Sequence, residues 1–503
     1  MGGGAVAAEQ LGGWEERPGA ALAPLRSGYR PREPEKTVLH RVVRENLATF
    51  LARAREESAD GFGMPRYVER EFQSYLSCGL LSEGLVRVVC RDCGSGKVVG
   101  FSCKRRGVCP SCTARRAHEA AAHLVDFVVP KVPVRQWVLS FPKRLRFALA
   151  RDSKLLGEVL GRFLKCLFAF HRRRARGLGL RGGQAGAFSF VQYFGSAVQL
   201  TPHLHCIVPD GVFVEESETE APEFHPLPPP TDDEVEALLL KVMKRLHALF
   251  ARKGFFEEDK GDVGPPGALE SLQQEAALGQ RCFPLPGAEP KRPRVRARRS
   301  AFLEGFSLHA DLHLHANDRE ALERLCLYAG RGAVANERLE ELPDGRVSYR
   351  MKRPAPDGST HLVCSAVDFL RRLASITPPP RVNLLRFHGV FAPNCRLRAR
   401  IVPEHESEEV TPEPEQVPFD FAAPKGAPEP PERHRYSWAE LMKRTFQTDV
   451  LECERCGGRM RVTAFVTDIG LAREVLGHLG LGNRPAPLAA AAGPPQLALA
   501  FRS

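Results

Sequence analysis

The stretch "CRDCGSGKVVGFSCKRRGVCPSC", residues 90–112, constrains the fold more than any other part of the chain. Cys90-x2-Cys93 and Cys109-x2-Cys112 stand fifteen residues apart. Thiolates two residues apart on a tight turn supply two zinc ligands without strain, and a structural zinc takes four in a tetrahedron. Gly94, Gly96, Gly107 and Pro110 suit such turns. The expectation is therefore a structural zinc bound by Cys90, Cys93, Cys109 and Cys112, with Cys78 and Cys103 near enough to replace a ligand. Four sulfur ligands leave no position for a reactive water, so this ion builds a fold. Disulfides are the competing reading. The opening residues, "MGGGAVAAEQLGG", lack the basic and apolar regions of a secretory signal. A reducing, cytoplasmic setting is expected, and there clustered cysteines favour metal. No stretch approaches the ~20 apolar residues of a membrane span, so no membrane partner is expected.

Charge points to a partner. Lys+Arg number 72 against 60 Asp+Glu, a net +12. The bases cluster in "KRLR", "HRRRARGLGLR" and "KRPRVRARRS", while 404–432 is acidic and proline-rich. Basic clusters most often meet a polyanion, nucleic acid first. Any one cluster alone also fits a merely soluble basic surface. Lys104, Arg105, Arg106, Arg115 and Arg116 surround the cysteines, as in a nucleic-acid-binding ribbon.

The length of 503 residues exceeds one typical core. Residues 1–35 are Gly/Ala/Pro-rich without periodicity, which predicts a disordered start; 36–127 combine helical periodicity with the cysteine cluster. Residues 128–402 read as an α+β unit with a loop insertion at 257–300. Strands are expected in "VRQWVLSF", "AGAFSFVQYFGS" and "HLHCIVPDGVFV", the last folding back on itself at Pro209-Asp210-Gly211. Helices are expected over 153–177, from Thr231 as a cap, and over 317–332; two further Pro-Asp-Gly turns predict three antiparallel strands in 338–365. A Pro/Glu linker (403–435), a small C-terminal unit (436–482) and a disordered tail (483–503) follow. In that unit Cys453-x2-Cys456 is half a zinc site, or simply a turn; Cys395, His434 or a second subunit could complete it.

"TPHLHCIVPDGVFV" holds His203 and His205. On a strand, i and i+2 share a face, so both imidazoles can reach one ion, with Leu204 and Cys206 on the other side. A lone His-x-His is more often incidental. Gln192, on the neighbouring strand, offers an amide oxygen as third ligand, with His309 as rival. Such a set suits a hard divalent ion that also holds a phosphate. The second pair, His313 and His315, has no strand hairpin behind it and ranks lower. Tyr328 shares a helix face with Ala321 and Leu325, the pattern of a core aromatic. It is also followed by Arg331, Asn336 and Arg338, and a phenol among cations can attack a phosphodiester.

Four stretches carry a resemblance: "FSCKRRGVCPSCTARRAHEAAAHLVD", "PVRQWVLSFPKRLR", the histidine strand with "DGVF", and "LERLCLYAGRGAVANERLEELPDGRVSYRMKRP". "PPPRVNLLRFHGVFAPNCRLRARIVP" and "WAELMKRTFQTDVLECERCGGRM" extend it. The chain resembles the rolling-circle insertion-sequence transposases of the IS-ninety-one type, within the His-hydrophobe-His (HUH) endonucleases. The resemblance implies an α+β fold. An N-terminal zinc ribbon would precede an antiparallel sheet with helices on one face, forming an HUH-type nuclease domain over 128–402, then the small cysteine-containing C-terminal unit. It implies Mg2+ or Mn2+ on His203 and His205, and Tyr328 as nucleophile forming a 5′-phosphotyrosine with single-stranded DNA at element ends and target. Oligomers and a bacterial, nucleoid-associated location fit it too. Members often carry a second tyrosine four residues earlier; here that position is Arg324, so a one-tyrosine scheme is implied. Members often read Arg-Pro-Pro after the tyrosine; here Arg331-Gly332-Ala333 is expected to loosen the turn. A relaxase or replication initiator would share the chemistry; a non-enzymatic zinc DNA-binding protein would not need it.

Overall fold

The computed structural model describes residues 32–58, 60–255, 267–278, 298–355, 357–403, 436–446, 449–482 and 485–492. The expectations of a disordered start, of the 403–435 linker and of a disordered tail fall, but for a few residues, outside these. In chain order the elements are α1 (Val38–Glu57), α2 (Arg66–Leu76), β1 (Leu85–Cys90), β2 (Gly96–Gly100), α3 (Pro110–Phe127), β3 (Val134–Ser140), α4 (Lys143–Arg151) and α5 (Ser153–Gly177). Next come β4 (Gly186–Phe194), β5 (Leu200–Pro209), β6 (Gly211–Val214), β7 (Glu223–Pro226), α6 (Asp232–Arg252), α7 (Ala268–Leu278), β8 (Ser300–Leu303), β9 (Phe306–His309), β10 (His313–Leu314) and α8 (Arg319–Gly330). The rest are β11 (Leu339–Glu341), β12 (Val347–Arg350), β13 (His361–Cys364), α9 (Ala366–Ser375), β14 (Leu385–Gly389), α10 (Arg398–Ile401), α11 (Trp438–Phe446), β15 (Met460–Val466) and α12 (Ile469–His478).

The largest sheet has the order β14-β4-β5-β3-β9-β8, with β10 also on β3, and its pairings are antiparallel. On one face Trp137, Leu139, Leu204, Cys206 and Val208 pack into a core with Phe163, Leu167, Val242 and Leu246 of α5 and α6. On the other, Phe188, Phe190 and Ile207 meet Leu124 of α3 and Leu322 and Leu325 of α8. Helices thus cover both faces, not one as expected. The cause is local: "GAFSFVQYF" is apolar at both alternating sets of positions, and β4 is buried along its whole length. Thr231 caps α6 in a reciprocal box with Glu234, as its sequence predicts. The three-stranded sheet β11-β12-β13 forms where two Pro-Asp-Gly turns punctuate the chain.

Two expectations are corrected. The histidine strand does not fold back on itself: β6 pairs with β7. Both edges of β5 are already taken by β3 and β4, so β6 finds no open edge there. The 257–300 stretch is not all loop, because α7 lies within it and packs between α4 and α9; its other residues, Gly267 and 298–300 apart, lie outside those described. The C-terminal segment does not stand alone. β15 pairs with β1 from Leu85↔Val466 to Cys90↔Met460, giving the sheet β15-β1-β2. Among the described residues no helix is long and apolar enough to cross a membrane.

Candidate active site and cysteine clusters

The β4–β5 ladder sets Gln192 opposite His203 and Phe190 opposite His205. The two imidazoles stand on one face, ring centroids 4.8 Å apart. His203 Nδ1 donates to the Thr201 carbonyl at 2.8 Å, which leaves its Nε2 as an acceptor. His205 Nδ1 accepts from the Gln136 amide nitrogen at 3.0 Å, and its Nε2 is buried with no hydrogen-bond partner. Turning the Gln136 amide over, so that its oxygen accepts from Nδ1–H, frees the His205 Nε2 lone pair for a cation. Burial pushes both histidines below their usual 6.5, His205 far below, with repulsion from His203 and Arg331 adding to it. Both are therefore neutral donors at pH 7.

Gln192 ties this strand to α8. Its amide nitrogen donates to the carbonyls of Tyr328 at 3.0 Å and Ala329 at 2.7 Å. These belong to the helix end, whose last carbonyls lack intrahelical partners. The tie holds the Tyr328 ring 5.9 Å from His205, at 86° to it. Tyr328 stays 40% exposed, unlike a core aromatic. Arg331 and Lys352 stand 5.3 and 4.9 Å from its ring centroid. Burial lowers the pKa of both cations. A cavity of about 530 Å³ opens here, lined by Gln192, His203, Tyr328, Arg331, Arg338, Arg350, Lys352 and Arg353, and no carboxylate among the described residues lines it. It suits a polyanion.

The predicted residues His203, His205, Gln192, Tyr328 and Arg331 therefore meet. His309 does not: Val138 of β3 separates it from His205, roughly two strand spacings of ~4.8 Å, and its Nδ1 faces Ser300 Oγ at 2.8 Å. His313 and His315 sit near the other end of β3, where His313 approaches Asp210 at 3.6 Å. Arg324 pairs with Glu320 on the surface of α8. Gly332 does not loosen its turn. It packs so closely that a Cβ there would overlap Thr113 of α3. Sequence reasoning missed Gln136 and the cations Arg350, Lys352 and Arg353; the signal for the latter was the basic run "YRMKRP" at 349–354.

The single four-cysteine site is also corrected. Cys78, Cys103, Cys109 and Cys112 form one group and Cys90, Cys93, Cys453 and Cys456 another, the sulfurs of each lying within 4.8 Å of one another. The β1–β2 hairpin enforces the split. Cys90 ends β1 and Cys93 lies in the turn after it, about 17 Å away from the end where β2 returns toward Cys103 and Cys109 stands at the N-cap of α3. In the first group, hydrogen bonds from Cys103, Cys109 and Cys78 hold Cys112 low while Cys109 is pushed up. In the second, burial opposes ionisation, but the backbone at Cys456 and Arg455 and the Cys93 and Cys90 thiols bring Cys453 down to about 7. Of the surrounding bases, Arg106 is committed to the carbonyls of Val382 and Pro379, Arg105 donates to Ser74 at 3.1 Å and Arg116 to the Lys104 carbonyl at 2.7 Å. Lys104 is exposed, whereas Arg115 is half-buried.

Residues 46–141 match the family described as "Transposase zinc-binding domain", and residues 186–399 match "Putative transposase". Both matches are to transposase families, the zinc-binding one to that of the IS-ninety-one type. The first match contains the whole Cys78/Cys103/Cys109/Cys112 group; the second contains Gln192, His203, His205 and Tyr328. A protein of Sinorhizobium fredii (strain NBRC 101917 / NGR234), "Putative transposase y4qJ", is 24% identical over 316 residues, which is 61% of this chain and 70% of that one. No solved structure matches the chain. The zinc-binding match and the cysteine groups together support structural zinc.

Proposed function

We propose that the chain cleaves and rejoins single-stranded DNA through Tyr328, on an HUH-type nuclease fold spanning 128–402, and so mobilises an insertion sequence by a rolling-circle-like route. The observation that carries this reading is the contact of an open tyrosine with a neutral histidine pair at the mouth of a cation-lined cavity. The buried, unpartnered Nε2 of His205, the acceptor Nε2 of His203 and the amide oxygen of Gln192 fit a hard divalent ion. These residues would hold Mg2+ or Mn2+, which when bound polarises the scissile phosphate and offsets charge on its oxygens. Arg331 and Lys352 neutralise the nonbridging oxygens. As the Tyr328 Oη–phosphorus bond forms, the bond from phosphorus to the 3′ oxygen breaks. The phenolic proton is released, and the leaving oxygen takes up a proton to become a 3′-OH. The 5′ phosphate stays on Tyr328, and the reverse step rejoins the strands. The basic residues Lys104, Arg115 and Arg116 would bind backbone phosphates of the element.

The test is incubation of purified protein, with Mg2+ or Mn2+, with single-stranded oligonucleotides from the element ends. A covalent protein–DNA adduct is expected from the wild type. Tyr328→Phe should give none while binding the same DNA with wild-type affinity. An adduct that survives Tyr328→Phe places the nucleophile elsewhere.

A further inference from the structure

Cys453 and Cys456 lie outside both family matches, yet their sulfurs face Cys90 and Cys93. Cys90 Sγ is 3.5 Å from Cys456 Sγ, and Cys93 Sγ is 3.5 Å from Cys453 Sγ. A disulfide needs ~2.05 Å. Tetrahedral zinc with bonds of ~2.3 Å separates its sulfurs by ~3.8 Å, close to what is seen. The two turns are built alike. "CRDCG" and "CERCG" each place a left-handed glycine after the second cysteine, Gly94 at φ 70° and Gly457 at φ 71°. In each, the first cysteine's backbone N–H bonds the carbonyl five residues on: Cys90 to Ser95 at 2.8 Å, Cys453 to Gly458 at 2.9 Å. A strand follows each turn, β2 and β15, and both pair with β1. The 109–112 turn differs, because it opens a helix. Gly458 has no room for a side chain: a Cβ would overlap the Asp92 carboxylate. Buried Lys97 of β2 reaches across to the Glu452 carbonyl at 3.2 Å and brings positive charge to what would be a dianionic centre.

We infer that Cys90, Cys93, Cys453 and Cys456 bind a second zinc ion, which clasps the C-terminal segment onto the N-terminal ribbon across more than 350 residues of chain. The zinc-binding domain is then completed by residues 453–466, and a chain ending before them has half a site. The clasp also anchors α11, which returns along α3, with Tyr436 bonded to Asp126 and Arg444 3.3 Å from it.

The full, reduced chain should hold two zinc ions by metal analysis. Cys453→Ser/Cys456→Ser should hold one, and so should Cys90→Ser/Cys93→Ser. Combining all four substitutions should still leave one, because the pairs share an ion. A full complement in Cys453→Ser/Cys456→Ser, or no zinc in the fourfold variant, overturns the clasp. The unmutated protein gives an independent readout. Cys456 is exposed, so a free thiol there alkylates quickly. Mass spectrometry should find it protected together with Cys90, Cys93 and Cys453 until a chelator is added. Alkylation of Cys456 at the same rate before and after chelation overturns the proposal, as does a disulfide linking either pair in the reduced protein.

Discussion

Lys352 shows how a residue acquires a role from its surroundings. It follows β12, and its ammonium stands 4.9 Å from the Tyr328 ring centroid. Partial burial, then repulsion by Arg331 and Arg338, lowers its pKa, so placing it here costs something that a bound phosphate would offset. Lys352→Met should slow adduct formation on the order of a hundredfold, in line with losing one donor at developing charge. Binding should lose only the salt dependence of about one phosphate contact. Lys352→Arg should restore most of the rate. Adduct formed at the wild-type rate by Lys352→Met would remove this residue from the reaction. The sequence displays His203, His205 and Tyr328 because their chemistry is rare and their spacing regular. It shows Lys352 only as part of a basic run, one base among 72 Lys+Arg, whose value lies in its distance to a ring on another element.

At the scale of elements, the end of β5 is the instructive case. Pro209-Asp210-Gly211 reads as a hairpin turn, yet Asp210 is a buried counter-ion. Its carboxylate accepts from Arg135 Nη2 at 2.6 Å and from Nε at 3.1 Å, with the two side chains 5% and 1% exposed. Arg135 also donates to the Ala310 carbonyl at 2.8 Å, and the Asp210 N–H to Pro133 at 2.8 Å. One ion pair thus joins β5, β3 and the chain entering β10. Asp210→Ala strands a buried guanidinium and should cost about 3–5 kcal/mol in urea unfolding. Arg135→Met/Asp210→Leu should recover most of that, because both charges leave together. A single variant within about 1 kcal/mol of wild type would show that water solvates the pair. The starts of α6 and α8 were legible, where Thr231 and Asp318 cap by bonds between near neighbours; α9, capped by Ser365, was not read from the sequence. The Asp210 pair spans 75 residues and has no local signature.

Across the whole molecule, buried and half-buried neutral histidines contribute to the response to acid. His40 sits on α1 against the end of α2, His171 on α5 beneath the central sheet and His388 on its edge strand, and burial lowers all three from 6.5. His388 is pushed down to about 4 by burial and then by Arg386. The unfolded chain takes up this proton near 6.5, the folded chain only near 4. Unfolding therefore gains a proton within that window. The stabilisation is complete above 6.5 and falls as the pH drops toward 4. Wild type should lose more stability between pH 7 and pH 5 than His388→Gln does, measured by urea unfolding with zinc present. Equal losses would mean that His388 titrates normally when folded.

What the chain determined by itself was local. Alternation placed His203 and His205 on one face. Caps and Pro-Asp-Gly turns bounded the helices and the β11–β13 sheet, and cysteine spacing announced zinc. Each depends on neighbours within a few residues, where geometry is fixed by the period of the element. Tertiary structure decided which cysteines share an ion, because a six-residue strand separates two pairs that look adjacent in sequence and brings one of them against Cys453 and Cys456. It decided that Gln192, not His309, stands beside His203, because that follows from strand order. It made Gly332 a close contact with α3 rather than a loose turn. Nothing in a linear pattern encodes which strand takes which edge. That choice belongs to the burial of β4 on both faces and to the pairing it forces on its neighbours.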